Sequence, residues 1–269
     1  MNEQLEKDFL SKVDSLKDKT NILHFSCGAD AVASYLRLRE YEVKPVLIYH
    51  YFIKDLPIHQ NYIDWFEKKF NERIYQFPST LFSEMLDNAL FQYPVKAREK
   101  FRNRIGTVLE GHTKEKFDRF LANAIGGDVV FHLGLKYTDG LHRFRHLSKN
   151  GCSFGNKFYP IASFQTKDIQ DILEKYDCLL PLEYGLWGTS FESPRAWNIN
   201  LIKENCPVTY KMILDWFPLI GSEGLRDRFN KLNKHFKQRV TQFNKYAMTK
   251  EMCKTWQENK RKKKRALKP

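Results

Sequence analysis

Short apolar runs alternate with helix-like segments along the first part of the chain, and this alternation constrains the fold most. Three runs have the length and composition of buried strands, at residues 22–25, 45–52 and 73–77. The first two are followed by segments with apolar residues three or four positions apart, which is the spacing of one helix face. Strands joined to helices by short connections form a mostly parallel sheet with helices on both faces. We therefore expect an α/β fold.

The same periodicities predict the remaining elements of this α/β region. Before the first strand, an amphipathic helix is indicated by Leu5, Phe9, Val13 and Leu16. After the third strand we expect a helical stretch at 80–124, a fourth strand at 128–135, a loop through Asp139 and Arg143, a short strand at 158–163 and a helix at 167–176. We assign residues 1–190 to one α/β domain.

The remainder of the chain is expected to be a helical extension. Helices are predicted at 207–217 and 225–243, the second with an apolar stripe and basic residues on its other faces. This extension would span residues 191–258. The basic residues at 259–269 are expected to form a disordered tail.

The turn after the first strand is the main candidate for a binding site. The strand ends at Ser26, small residues follow, and a helical run begins around Asp30. Such a turn presents backbone N–H groups at the positive end of a helix dipole, which favours a phosphate or another anion. Ligands of open parallel sheets lie at the carboxyl ends of the strands. Tyr49 and the loop at 135–143 are expected at the same edge.

The net charge indicates an anionic partner. The chain of 269 residues carries a formal charge of +13, and seven of its positive charges lie beyond residue 259. Dense cationic segments bind nucleic acid by displacing counterions from phosphates. We expect nucleic acid to bind through the basic helix and tail. A solvated tail and an anionic membrane surface are the alternatives.

The cysteines and apolar runs indicate a cytoplasmic protein without a membrane span. The five cysteines form no closely spaced pair, so neither a disulfide framework nor an iron–sulfur cluster is expected. The apolar runs are far shorter than the roughly 20 residues that a membrane helix needs. The N-terminal segment is polar and acidic, which argues against a secretory signal.

Two segments of the chain are similar to known motifs. Residues 26–31 read Ser-Cys-Gly-Ala-Asp-Ala and resemble the PP-loop, Ser-Gly-Gly-x-Asp-Ser, of the adenine nucleotide alpha-hydrolase superfamily. Residues 134–143 read Gly-Leu-Lys-Tyr-Thr-Asp-Gly-Leu-His-Arg. They resemble Gly-Ile-Arg-x-x-Glu-Ser-x-x-Arg of the branch with phosphoadenosine phosphosulfate (PAPS) reductases and related phage and DNA-modification proteins. Further similar segments lie at 159–161, 166–169 and 181–188, so the resemblance covers about residues 20–190.

This resemblance implies a fold of the HUP type that binds ATP or a related adenine nucleotide. The residues expected to bind it are Ser26, Cys27, Gly28, Ala29, Asp30 and Tyr49. Lys136 and Arg143 would neutralise phosphates, and Asp139 would order their loop or a cation. Asp30 would either cap the helix or hold Mg²⁺. Such enzymes cleave ATP between its α- and β-phosphates and adenylate an acceptor. Because the chain is basic, we expect a nucleic-acid base as the acceptor.

Departures from the motif leave two alternatives open. Ala31 replaces the final Ser of the PP-loop and has no hydroxyl for a phosphate, while Cys27 replaces a Gly and adds a side chain near the ligand path. Thiol-reducing members carry Glu-Cys-Gly-x-His, whereas Cys253 has no following Gly or His. The alternatives are a PAPS reductase-like enzyme and an inactive accessory protein that binds nucleotide or nucleic acid.

Overall fold

The computed structural model describes residues 1–93, 113–226 and 234–266, and the chain forms two compact units. The first comprises residues 1–50, 73–77 and 113–179, and the second comprises 51–72, 78–112 and 180–269. The units therefore interleave in sequence, unlike the division at residue 190 expected above. Parts of the predicted helices at 80–124 and 225–243 lie outside the described residues.

The elements alternate between strands and helices in the first half of the chain. The strands are β1 (Thr20–His24), β2 (Val46–Tyr51), β3 (Ile74–Pro78), β4 (Val129–His132), β5 (Ser153–Phe154) and β6 (Lys157–Phe158). The helices of the described residues are α1 (Glu3–Lys12), α2 (Ala29–Glu40), α3 (Pro57–Phe70), α4 (Thr80–Asp87), α5 (Lys114–Ile125), α6 (Leu141–Asn150), α7 (Thr166–Lys175), α8 (Glu183–Leu186), α9 (Ala196–Asn205), α10 (Pro207–Trp216), α11 (Gly221–Arg226), α12 (Lys234–Phe243) and α13 (Lys250–Ala266). Short 3₁₀ turns cover Val13–Leu16, Tyr137–Asp139 and Asn244–Tyr246.

The first unit is built on a six-stranded, mostly parallel sheet, which confirms the predicted α/β class. Its strand order is β3-β2-β1-β4-β6-β5. Strand β1 pairs in parallel with β2 and β4, so that Ile22 lies opposite Val46 on one side and Phe131 on the other. Strand β6 continues in parallel beside β4, and β5 returns antiparallel to β6. The carboxyl ends of β1 and β4 therefore lie next to each other.

Burial on both faces explains why two apolar residues follow each other directly in β1. Ile22 and Leu23 point to opposite faces of the sheet, and both are fully buried. The N-terminal helix is confirmed as well, because the apolar residues that predicted it lie in one cluster with Leu38, Val130 and Phe158. Burial of this stripe holds α1 and the following 3₁₀ turn in the first unit.

Arg37 of α2 ties the N-terminal helix to the segment before α7. Its side chain is 3 % exposed, and its guanidinium donates to both carboxylate oxygens of Glu6 at 2.6 and 2.7 Å. It also donates to the Pro160 carbonyl at 2.7 Å and stacks 3.6 Å from the centre of the Phe9 ring. A planar guanidinium can make all these contacts at once.

Several segments differ from the sequence-based expectation. The strand expected at 158–163 is limited to β6, and residues 160–163 form turns. The loop expected through Arg143 is largely helical, because α6 begins at Leu141, and α9 was not predicted at all. The tail expected to be disordered from residue 259 continues α13 to Ala266. Lys and Arg are good helix formers, so a basic composition does not itself prevent a helix.

The second unit is a helical assembly around an aromatic cluster. Its core includes Phe52, Trp187 and Phe217, of which the last two are fully buried. The Phe52 and Phe217 rings stack with their centres 5.5 Å apart. Among the helices that the structure describes, none combines the length and apolarity needed to cross a bilayer.

Replacing Arg37 by Lys is expected to lower the free energy of unfolding by about 2–4 kcal/mol, because it leaves Glu6 and the Pro160 carbonyl short of donors. Midpoints of urea unfolding measure this loss. On the same helix, Arg39 is exposed and bonds the Tyr35 hydroxyl, so Arg39→Lys should cost about 0.5 kcal/mol or less. Equal losses in the two variants would contradict this account of Arg37.

Candidate functional site

In the turn between β1 and α2, two consecutive side chains differ in exposure to solvent. Phe25 extends the ladder by donating its N–H to the Ile48 carbonyl at 2.7 Å. Ser26 is exposed, whereas the Cys27 side chain is fully buried. The expectation that Cys27 lies near the ligand path is therefore wrong, because its thiol points into the protein.

Cys27 adopts a backbone conformation that normally favours glycine. Its φ is +60°, in the left-handed region that costs roughly 1–2 kcal/mol for a residue with a side chain. The resembled motif has Gly at this position, so the turn keeps the conformation that this Gly would adopt without strain. Burial of the thiol among apolar groups offsets part of that cost.

The N-terminus of α2 lacks a side-chain cap at its first position. The helix begins at Ala29, so its N-cap is Gly28, which has no side chain to accept from the first N–H groups. The first helical bond runs from the Val32 N–H to the Gly28 carbonyl at 2.9 Å. Asp30 lies inside the first turn and is therefore not the N-cap, which corrects that expectation. A 12-residue helix thus directs its positive end at the turn.

Lys136, from the segment after β4, joins this turn to the neighbouring strand. Its ammonium lies 2.6 Å from Oδ1 of Asp30 and 2.9 Å from Oδ1 of Asp139. Only 6 % of Lys136 is exposed. Two carboxylates compensate for the burial of this cation, as a buried charge requires. We expected Lys136 to neutralise phosphates, but in this structure its charge is paired with these two carboxylates, an arrangement that we call the Lys136 clamp.

Asp139 is the second anchor of the clamp. Burial raises the pKa of its carboxyl, but the positive charge of Lys136, its side-chain and backbone hydrogen bonds and the Arg143 guanidinium together hold that pKa below its usual range. The backbone N–H of Lys136 donates to Oδ2 of Asp139 at 3.1 Å. Arg143 donates to the same oxygen at 2.6 Å. Sequence analysis therefore identified all three residues, which the structure brings together.

Gly134 allows the two strand ends to approach each other. A Cβ at this position would lie 3.0 Å from the backbone carbonyl carbon and oxygen of Asp30. Those atoms belong to a helix and cannot move as a flexible side chain would. A residue without a side chain is therefore needed where the β4 segment passes the first turn of α2.

Other residues proposed from sequence are not open to a ligand. Tyr49 lies within β2 and is 4 % exposed, so its side chain belongs to the core. His132 is also buried, donates from Nε2 to Oδ1 of Asn21 at 2.8 Å, and has its pKa lowered by burial to about 3. His24 lies 3.0 Å from Asp118, a partner that the sequence pattern did not reveal.

The charges at the candidate site are balanced before any ligand binds. Asp30 and Asp139 contribute two negative charges, and Lys136 and Arg143 contribute two positive ones. Arg143 is about half exposed, with 49 % of its side chain accessible, so it retains donors that can face solvent. Within the described ranges, no three His, Cys, Asp or Glu side chains meet in a way that could hold a metal ion.

The second unit contains a cavity of about 200 Å³ that involves two of the free cysteines. Cys206 and Cys253 line it together with Asn61, and Lys250 and Lys254 lie at its wall. Burial is the main cause that raises the pKa of Cys253 to about 11 and that of Cys206 to about 12. Both thiols are therefore protonated at neutral pH and are poor nucleophiles.

No protein-family model matches this chain, and no curated protein matches it.

Replacing Asp139 by Asn is expected to destabilise the protein by about 1–3 kcal/mol at pH 7. Because folding lowers the pKa of Asp139, its contribution is fully present above the unfolded pKa of about 4 and disappears as the pH falls below it. The difference in unfolding free energy between wild type and Asp139→Asn should therefore narrow below about pH 4. Urea unfolding at a series of pH values measures it.

Asp128→Asn is the matched control for that series, because this carboxylate is 69 % exposed and pairs with Lys19 at the surface. We expect its destabilisation to stay below about 1 kcal/mol. If the difference in unfolding free energy between wild type and Asp139→Asn widens at acidic pH, the ion pairing assigned to Asp139 is contradicted.

Proposed function

We propose that the first unit binds an adenine nucleotide with its phosphates at the turn from Ser26 to Asp30, as a member of the PP-loop superfamily close to the PAPS reductase branch. One observation carries the proposal. The N-terminus of α2, where the N-cap residue Gly28 makes no side-chain cap, lies at the carboxyl end of the central parallel strand β1. Ser26, which leads into the helix, is exposed, whereas residues 27–29 are buried, so a phosphate would contact this turn from the side of Ser26.

The clamp supports this assignment by holding the turn in one geometry. Lys136 binds Asp30 from the loop of the adjacent strand β4, and Gly134 allows the close approach. A phosphate site of this kind works through positioned backbone donors, so rigidity of the turn favours binding. Exposed donors of Arg143 would add a bidentate contact to an outer phosphate.

The reaction proposed for this site is adenylyl transfer. A nucleophilic oxygen or nitrogen of the acceptor forms a bond to the α-phosphorus of ATP, and the bond from that phosphorus to the bridging oxygen of the β-phosphate breaks. Pyrophosphate leaves with the electron pair. Positioning and stabilisation of charge on the leaving group are what this chemistry requires from the protein. Ala31 offers no hydroxyl, so the backbone and Ser26 would carry the phosphate contacts.

The donor set at the turn does not fit a resident divalent cation. The Lys136 ammonium already lies between the carboxylates of Asp30 and Asp139, where such a cation would otherwise bind. Mg²⁺ commonly binds through substrate phosphates and water with few protein ligands. We therefore treat Mg²⁺ as a part of the nucleotide substrate and assign no reaction step to Asp30 as its ligand.

The reductase alternative is disfavoured by the chemistry of Cys253. Its thiol is 8 % exposed and its pKa is raised to about 11, opposite to what a nucleophilic cysteine needs. The proposal retains a HUP-type architecture for the first unit, a helical extension after residue 190, a cytoplasmic location and nucleic acid as a partner of the basic C-terminal helices. An accessory protein that binds nucleotide without turnover is the remaining alternative.

The proposal predicts the products AMP and pyrophosphate. Purified protein, ATP labelled at the α-phosphate, Mg²⁺ and a panel of single-stranded and duplex nucleic acids should yield labelled AMP or an adenylylated strand, separated by chromatography. Release of ADP and phosphate would contradict α–β cleavage. ATP binding without any product would leave only the accessory function.

A pair of variants at Ser26 tests the site itself. Ser26→Glu places a negative charge at the turn, whereas Ser26→Gln adds a side chain of equal size without charge. If phosphates bind here, Ser26→Glu should raise the dissociation constant for ATP at least about tenfold more than Ser26→Gln, because charge repulsion adds to the steric effect. Calorimetry measures both dissociation constants. Equal affinities of the two variants would exclude Ser26 from the phosphate site.

A further inference from the structure

Helix α6 presents cationic and apolar side chains together to solvent. All its charged residues are basic, namely Arg143, Arg145 and Lys149, and each is exposed. On the same helix, Leu141 is 63 % exposed and Phe144 is 44 % exposed, although both side chains are large and apolar. Of the helix's residues, only Leu147 is fully packed into the core. Nothing in the fold of the first unit requires exposed Leu141 and Phe144.

The short hairpin after α6 extends this surface. Phe154, on β5, is 56 % exposed, and its ring centre lies 5.5 Å from that of His146 on α6. His146 in turn bonds the Tyr159 hydroxyl at 3.0 Å, which fixes the contact between helix and hairpin. At about 100° per residue, Phe144 and His146 lie on either side of Arg145, so the exposed rings of Phe144 and Phe154 flank the basic residues of the helix.

Helix α6 also adjoins the candidate nucleotide site. Its Arg143 bonds Asp139, which bonds the Lys136 clamp. The N-terminus of α6 follows Gly140 directly and adds its positive dipole to the arginines. A polyanion on this face would thus reach the neighbourhood of the turn at Ser26.

We infer that α6 and the β5–β6 hairpin form a surface that binds single-stranded nucleic acid, with Arg145 and Lys149 on the phosphates and Phe144 and Phe154 stacked on bases. Exposed aromatic rings among cations are how proteins bind single strands without reading their sequence. A duplex hides its base faces, so it would engage the cations alone. If this surface holds the acceptor of the adenylyl transfer, that role rests on the proposed function. Binding of a single strand to the surface is measured independently of it.

An anionic membrane is the competing partner for a basic surface with apolar residues. Helix α6 has 10 residues and exposes two large apolar side chains, so it could insert little apolar area. Stable attachment to a bilayer needs a more extensive apolar face or a lipid anchor. The observed composition therefore favours nucleic acid, and lipid vesicles become an arm of the test.

The experiment measures binding of the full chain to a labelled single strand by fluorescence anisotropy over a range of salt concentrations. The double variant Phe144→Ala/Arg145→Ala should lose about tenfold or more in affinity. Arg145→Ala alone should reduce the slope of log K against log salt by about 0.7, the value for one phosphate contact on a single strand. Phe144→Ala alone should leave this slope unchanged but reduce the preference for a normal strand over an abasic one, because Phe154 can still stack on a base.

Helix α5 offers a matched control. Its adjacent Arg119 and Phe120 are also exposed, with Phe120 at 63 %, but the helix carries Glu115 and Asp118 as well. Arg119→Ala/Phe120→Ala should change the affinity for a single strand by no more than about twofold. The control also reports on any binding by the C-terminal basic helices, which both double variants retain.

Four results would overturn the inference. The first is that the wild type binds neither DNA nor RNA single strands, and the second is that the two double variants lose equal affinity. The third is tighter binding of a duplex than of a single strand, and the fourth is that Phe144→Ala/Arg145→Ala weakens binding to anionic vesicles but not to single strands. ATP binding measured in parallel separates the two proposals. If the protein binds ATP but gives any of these results, the proposed function stands and the surface on α6 does not. If strand binding depends on α6 but ATP does not bind, only the surface on α6 stands.

Discussion

The ion-paired Lys136 is the interaction on which the rest of the first unit's candidate site depends. Its ammonium is almost fully buried between Asp30 and Asp139, and it connects the loop after β4 to the first turn of α2. Removing either carboxylate would leave a buried cation short of a partner, which is costly in a low-dielectric interior. The ion pair thus keeps the helix N-terminus, the strained turn at Cys27 and the start of α6 in one arrangement.

Local periodicity predicted much of this architecture. The apolar runs that became β1 and β2 are buried, and the helical stripes that became α1, α3 and α7 are present. The candidate residues Lys136, Asp139 and Arg143 lie together in the structure, and their role towards phosphates stays a prediction. These features depend on residues close together in sequence, so spacing alone carries the information.

What sequence could not predict depends on contacts distant in the chain. Asp30 and Lys136 are 106 positions apart, and their pairing is visible only once β1 and β4 are adjacent. Helix α6 buries little apolar surface, so its sequence has no apolar stripe from which a helix could be predicted. The inward side chain of Cys27 depends on a positive φ, which a cysteine does not signal. Tyr49 was expected near the ligand because it lies towards the carboxyl end of a strand, but its side chain is packed in the core.

Amide NMR of the isotopically labelled chain tests the central claim most directly. If the turn binds phosphates, titration with ATP or pyrophosphate should shift the backbone N–H signals of residues 26–31 most, and Ser26→Glu should abolish those shifts. Shifts confined to the cavity around Cys206 and Cys253 in the second unit, or an unchanged turn at saturating nucleotide, would contradict the account.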